Sequence, residues 1–226
     1  ASAMEPRDYL QRDQYARSDV QDVVLNAARS LAHDNGSELQ ALELYSCFPC
    51  VPKMTRRVLN LTEDATPTVT GGLSFFGAPL NNYMTHAACA MVRHLRAGKA
   101  DTGLLYGQGE FVTKHHAVVV ARIPPRIALN QNYNLQREVD RRRGIVPPLL
   151  NEYHGPATIE THTVVYGRDA PNYGVIVART PDDARVMARV EGSDINGIAT
   201  LTASDRSPIG LDGKVNRRDD GLLYWS

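Results

Sequence analysis

Residues 71–98, GGLSFFGAPLNNYMTHAACAMVRHLRAG, put a glycine-rich loop directly before a helix that carries histidine. Gly77, Pro79 and the pair Asn81-Asn82 hold an irregular loop whose backbone N–H groups can turn toward a ligand. At the head of a helix such a loop suits a carbonyl or anionic oxygen. His86 lies at the start of that helix, either as a proton-handling group or as a histidine hydrogen-bonded to the loop. His115 follows a second glycine-bearing run, Gly107-Gln108-Gly109, and is the stronger candidate for proton transfer. Ser46 can donate a hydrogen bond to a carbonyl or cap the next helix, and Tyr45 beside it lines a cleft or packs.

Cys47-Phe48-Pro49-Cys50 is a second chemistry-bearing motif, between a strand and a helix as in thiol redox proteins. A helix N-terminus favours the thiolate form. The plainer reading is two small buried thiols. A closed zinc site would need Cys47 and Cys50 together with His86 and Cys89, and only one of these pairs has knuckle form. No metal or cofactor is expected.

The elements that must position these residues read as alternating strands and helices. Ser18 caps a helix with Val20, Val23 or Val24, Ala27 or Ala28, and Leu31 at helical spacing, stopped by Asn35-Gly36. Residues 39–45 alternate as a strand ending at Ser46, and a helix over 50–60 accepts Pro52 in its first turn. Residues 66–70 supply short strand character. Asn81 or Asn82 caps the next helix, whose Met84, Ala88, Met91 and Leu95 share a face before Gly98 ends it. Strands follow at 102–106 and 116–123, the latter of the buried type, with His116 packing at its start. The first 17 residues read as polar and peripheral.

Beyond Pro124-Pro125 the pattern changes. A charged helical piece over 135–143 lies between two proline pairs, and from Gly155 onward short strands dominate, with one helix over 193–203. The predicted domains are an α/β layered domain over 1–123, a linker over 124–154, and a small mainly-β barrel of the oligonucleotide/oligosaccharide-binding type over 155–226. Composition adds exclusions. With 25 basic and 25 acidic residues among 226, nothing favours electrostatic capture of nucleic acid or an anionic membrane. No apolar run is long enough to span a bilayer and no signal-peptide pattern opens the chain. Three cysteines suit a reducing compartment, and the expected location is the cytoplasm.

The motifs also resemble a family. Gly71-Gly72 through Pro79, continuing as Asn81-Asn82-Tyr83-Met84-Thr85-His86-Ala87, resembles the thiolase loop that carries a catalytic histidine, in the form found in thiolase-like proteins labelled acetyl-CoA acetyltransferases. Tyr45-Ser46-Cys47-Phe48 is similar to the thiolase Asn-Glu-Ala-Phe motif, and Val112-Thr113-Lys114-His115-His116 to the loop that follows the acid/base region. Residues 155–169 resemble the start of the extra C-terminal domain of type-1 thiolase-like proteins.

The resemblance implies a C-terminal thiolase-like half, starting after that half's first strand, followed by the additional domain. It implies an acyl-CoA thioester as substrate or ligand, and lipid metabolism as context. Its departures count equally: Ala78 occupies the histidine slot, and no cysteine lies between Leu104 and His116. The family's nucleophile belongs to the N-terminal half, so a partner subunit or an N-terminal half must complete an active acyltransferase. The implied site is His115, Ser46 and His86 as catalytic groups, with Gly77, Ala78, Pro79, Asn81, Asn82 and Tyr45 binding substrate. The alternatives are a non-catalytic acyl-CoA-binding or scaffold protein, and a thiol redox protein. In the C-terminal domain Arg179, Arg185 and Arg189 with Tyr166 and Tyr173 evoke single-strand binding, but interspersed acidic residues favour a packing module, so nucleic acid is not an expected partner.

Overall fold

Every residue from 1 to 226 is described by the computed structural model. The chain divides into two compact units, one of Ala1–Arg7 with Ala16–Arg143, the other of Asp8–Tyr15 with Gly144–Ser226.

In the first unit, β1 (Ser2–Met4), β2 (Ala41–Leu44), β3 (Thr102–Gly109) and β4 (Lys114–Ala121) form one sheet in the order β1-β4-β3-β2. β2 runs parallel to β3, while β4 is antiparallel to both β3 and β1. Helices α1 (Asp19–Asp34) and α2 (Cys50–Leu59) pack on one face of it, and α4 (Tyr83–Arg96) covers part of the other. The period-two alternation of a strand divides the core accordingly: Leu42, Leu44, Leu104 and Tyr106 join the α1/α2 cluster, whereas Ala41 and Leu105 join Ala87, Met91 and Leu95 of α4. Gly103 on β3 lets Met91 approach so closely that a Cβ there would overlap its sulfur. Two short helices complete the unit, α3 (Leu73–Phe76) before α4 and α5 (Gln136–Arg142) after the sheet, the latter burying Val139 in the α1 cluster.

Local signals formed as read for α1, where Ser18 Oγ accepts from Gln21 N–H at 3.0 Å, and for α2, which Asn60 ends with a left-handed φ of 53°. Other expectations are corrected. Ser2–Met4 is a strand, with Ala3 buried in the core, although the opening residues read as peripheral. Three residues are too few for a periodic signal, and their partner lies more than a hundred residues away. Residues 66–70 form no strand, because their backbone groups are satisfied elsewhere: Pro67 C=O accepts from Leu44 N–H, and the N–H groups of Val69 and Thr70 bind a carboxylate. Leu31 is at the helix surface, and His116 is exposed rather than packed.

The second unit is built on β6 (Gly155–Tyr166), β7 (Pro171–Arg179), β8 (Arg185–Glu191), β9 (Asp212–Arg217) and β10 (Leu223–Trp225), with a two-residue strand β5 (Leu149–Leu150) at the edge of β8. The order β10-β9-β6-β7-β8 closes on itself where β10 pairs with β8 at Tyr224 and Arg189, giving a five-stranded barrel. A register shift between Ile159 and Thr161 bends the long strand β6. Helix α6 (Ile195–Thr202), capped by Asp194 through Gly197 N–H, buries Ile198 and Leu201 in the barrel core. The mixed α/β unit and the small barrel agree with the predicted fold class.

Segment 8–15 belongs to this unit. Arg185, with a fully buried side chain, donates to the carbonyls of Leu10 (3.2 Å), Arg12 and Asp13 (3.3 Å), and its guanidinium lies 4.6 Å from the Tyr15 ring centre. It is paired in a fork with Glu160 at 2.8 Å on each oxygen. Burial pushes the Glu160 carboxyl up, yet the hydrogen bonds and charges of Arg185 and Arg179 prevail and hold it below the usual carboxylate range.

Candidate functional site

The site is anchored by an acid inside the sheet. All four residues of β2 are buried, Glu43 among them at 0 % exposure. An unpaired carboxylate cannot remain there, and Glu43 is fully engaged. Its Oε2 accepts from the N–H groups of Val69 and Thr70, each at 3.1 Å. Its Oε1 accepts from the Tyr83 hydroxyl at 2.6 Å, while Thr70 Oγ1 lies 3.1 Å from Oε1 and 2.7 Å from that hydroxyl. Burial raises the Glu43 carboxyl above its ordinary value, with these hydrogen bonds opposing it. Burial and the Glu43 hydrogen bond likewise drive the Tyr83 hydroxyl upward.

This cluster sets the loop. Thr70 Oγ1 accepts from Gly72 N–H at 2.9 Å, so the glycine pair leaves the cluster in a defined direction. Gly71 and Gly72 both take φ of 84°, a region that side chains rarely enter. A Cβ on Gly72 would lie 3.5 Å from Ser46 Oγ, which places Ser46 beside the glycine. Tyr45 packs against Tyr83 with ring centres 5.4 Å apart, and burial, with Cys47 adding to it, pushes the Tyr45 hydroxyl above its ordinary value. Thus the structure brings Ser46, just beyond the C-terminal end of β2, up to Gly72, at the end of a parallel strand where α/β folds place ligands.

The loop continues outward through α3 to residues 77–82. Gly77 has φ of 61°, and Leu80, 87 % exposed, holds a left-handed φ of 51°. Ala78, Asn81 and Asn82 are exposed and Pro79 is half-buried. Asn82 precedes α4 but its side chain makes no cap; instead its Nδ2 lies 3.2 Å from His86 Nε2. His86 is half-buried, with its ring 5.8 Å from Phe76 and tilted to it. The expected asparagine cap is therefore corrected: the amide is spent on a histidine one turn on.

His115 is elsewhere. It has 0 % exposure on the face of the sheet that packs against α1 and α2, opposite α4 and the loop. Its Nε2 donates to Val112 C=O at 3.1 Å, which leaves Nδ1 to accept from the Tyr106 hydroxyl at 2.6 Å. Gln21 Nε2 donates to both Tyr106 and Thr55, at 3.0 Å each. Both ring nitrogens are occupied in a sealed network joining α1, α2, β3 and β4, so His115 does not line the acyl end together with the loop.

The remaining readings also shift. Ser46 is not a helix cap, since α2 begins after Pro49 without a side-chain cap. Cys47 and Cys50 are exposed and free, against the expectation of two buried thiols, and Cys89 is exposed and free as well. Cys47 and Cys50 lead into α2, whereas His86 and Cys89 ride on α4 across the sheet, so the zinc set does not converge. Glu43, Thr70 and Tyr83 were absent from the predicted site. The legible signal was an acid inside the otherwise apolar run Ala41-Leu42-Glu43-Leu44.

Comparison with known proteins agrees with both units. Residues 134–221 match the family model of the thiolase-like protein type 1 additional C-terminal domain. The whole chain superposes on a monomeric SCP2-thiolase like protein type 1 from Mycobacterium smegmatis, with a TM-score of 0.83 and 27 % identity over 100 % of the chain. The chain is a thiolase-like protein with an additional C-terminal domain. It spans 49 % of that solved protein. No curated protein sequence matches it. In this thiolase-like protein, the closed barrel and α6 lie within the matched C-terminal domain apart from β10, and the loop after Thr70 belongs to the α/β unit. No helix is long and apolar enough to cross a membrane.

Proposed function

We propose that the α/β unit binds an acyl-CoA thioester at the end of β2 without itself carrying out thiolysis. The observation behind this reading is the pairing of an exposed Ala78 in the loop with a sealed His115 on the far face of the sheet. Thiolysis needs a base to activate a thiol and a donor set for the developing oxyanion. An alanine methyl can neither take nor give a proton, and the His115 nitrogens are committed to Tyr106 and Val112.

Binding demands less. Ser46 offers a hydroxyl beside Gly72, Tyr45 offers an aromatic wall, and Phe75, 80 % exposed, with Leu80 offers apolar contact to an acyl or pantetheine chain. The chain spans about half of its solved relative, and the proposed partner is an N-terminal thiolase-like half that brings the nucleophile. That the relative is described as monomeric supports two halves within one polypeptide over a partner subunit. Acyltransferase activity and a place in lipid metabolism then belong to the completed protein.

Isothermal titration with acetoacetyl-CoA, run beside a thiolysis assay on the same chain, tests this. Binding without turnover is the expected result, weakened by Ser46→Trp, which fills the space beside Gly72. Turnover by the chain alone, or no binding to the chain and to the protein completed with an N-terminal half, overturns it.

A further inference from the structure

The site reading leaves the Cys47-Phe48-Pro49-Cys50 turn without a task. Both thiols are free and exposed. Three residue steps of extended chain span roughly 10 Å, well beyond the Cα separation of about 7 Å above which a disulfide cannot close. The chain here is not extended. It bends at Cys47 and Phe48 and turns at Pro49, whose φ of −56° and ψ of −24° are already helical. Val51 N–H closes the turn on Phe48 C=O at 2.9 Å. Cys50 becomes the first residue of α2 and Cys47 the last residue before the closed turn. The third cysteine, Cys89, is on α4, across the sheet from α2.

We propose that Cys47 and Cys50 form a reversible dithiol–disulfide site that exchanges with small-molecule disulfides. One thiolate attacks a sulfur of the small disulfide, making a mixed disulfide and releasing one small thiol. The second thiolate attacks the protein sulfur of that mixed disulfide, closing the Cys47–Cys50 bond and releasing the second small thiol. The pair gives up two electrons and two protons, and the small disulfide takes them as two thiols. The site does not depend on ligand binding at the loop.

The test is titration of the full chain with oxidised glutathione, followed by thiol alkylation and peptide mapping. The oxidised chain is expected to be two hydrogens lighter and to retain one of its three alkylatable thiols, at Cys89, with dithiothreitol restoring all three. Cys50→Ser is expected to stop at a glutathione adduct on Cys47, and Cys47→Ser at one on Cys50, while Cys89→Ser leaves pairing intact. Three alkylatable thiols throughout the titration, stable glutathione adducts on the pair in the unsubstituted chain, or a bond to Cys89 would each overturn the proposal.

Discussion

The Tyr83 hydroxyl donates to Glu43 Oε1 at 2.6 Å, tying the first residue of α4 to the interior of the sheet. Through Thr70 the same carboxylate holds the glycine pair that opens the loop. Glu43→Ala leaves two backbone N–H groups and two hydroxyls without their acceptor, and a loss of about 3 kcal/mol or more is expected by urea denaturation. Glu43→Gln retains an acceptor oxygen for the N–H pair and should cost less than half as much. Equal losses from the two variants would remove Glu43 from the role of anchor.

Glu43 also predicts a pH dependence. Its carboxyl is raised in the folded state, so the folded chain binds this proton more tightly than the unfolded one. The contribution is therefore present below the ordinary carboxylate value and is lost as pH rises through the raised one. Glu160 acts in the opposite sense. Held low by Arg185 and Arg179 against burial, it stabilises above the ordinary carboxylate value and loses this as pH falls through its depressed value. Comparing denaturation against pH for Glu43→Gln and Glu160→Gln should show the two slopes removed separately and with opposite sign.

Arg185 and Glu160 supply the heaviest polar link in the barrel unit. Arg185→Met removes the fork on Glu160, leaving it Arg179 alone, and takes the donor from three backbone carbonyls of segment 8–15. Breaking such a pair costs on the order of 3–5 kcal/mol. Amide exchange should accelerate in 8–15 and 155–160 first, and unchanged protection of both segments would count against the link.

At the loop, Gly72→Ala and Gly77→Ala separate strain from crowding. Both positions have positive φ, at 84° and 61°, so each substitution carries a backbone cost of about 1 kcal/mol. Only Gly72 faces Ser46 Oγ, at 3.5 Å from a new Cβ. Gly72→Ala should therefore weaken acetoacetyl-CoA binding several-fold more than Gly77→Ala at similar stability. Titration calorimetry reads the difference, and equal affinities would move the ligand away from Ser46.

Tyr106→Phe tests the assignment of His115 to the core. It deprives His115 Nδ1 of its donor and Gln21 of an acceptor, for an expected loss of about 1–3 kcal/mol. Ligand affinity at the loop should not change. A fall in affinity with no loss of stability would return His115 to the site.

The sequence by itself determined the two-unit α/β plus β-barrel character, the N-cap of α1 and the glycine loop ahead of α4. These are local: hydrophobic period, turn residues and capping side chains act within a few residues of one another. Tertiary structure alone decided on which side of the sheet each candidate falls. Glu43 and His115 are both buried polar residues of strands, yet one reaches the loop and the other is sealed under α1 and α2. The alternation of side chains along a strand makes that choice only when the register is set, and register is fixed in part by partners far away in the chain, as Ala3 opposite His115 on the neighbouring strand shows. The three-residue β1 and the segment 8–15 were illegible for the same reason, since neither carries a pattern of its own and each is held by residues more than a hundred positions on.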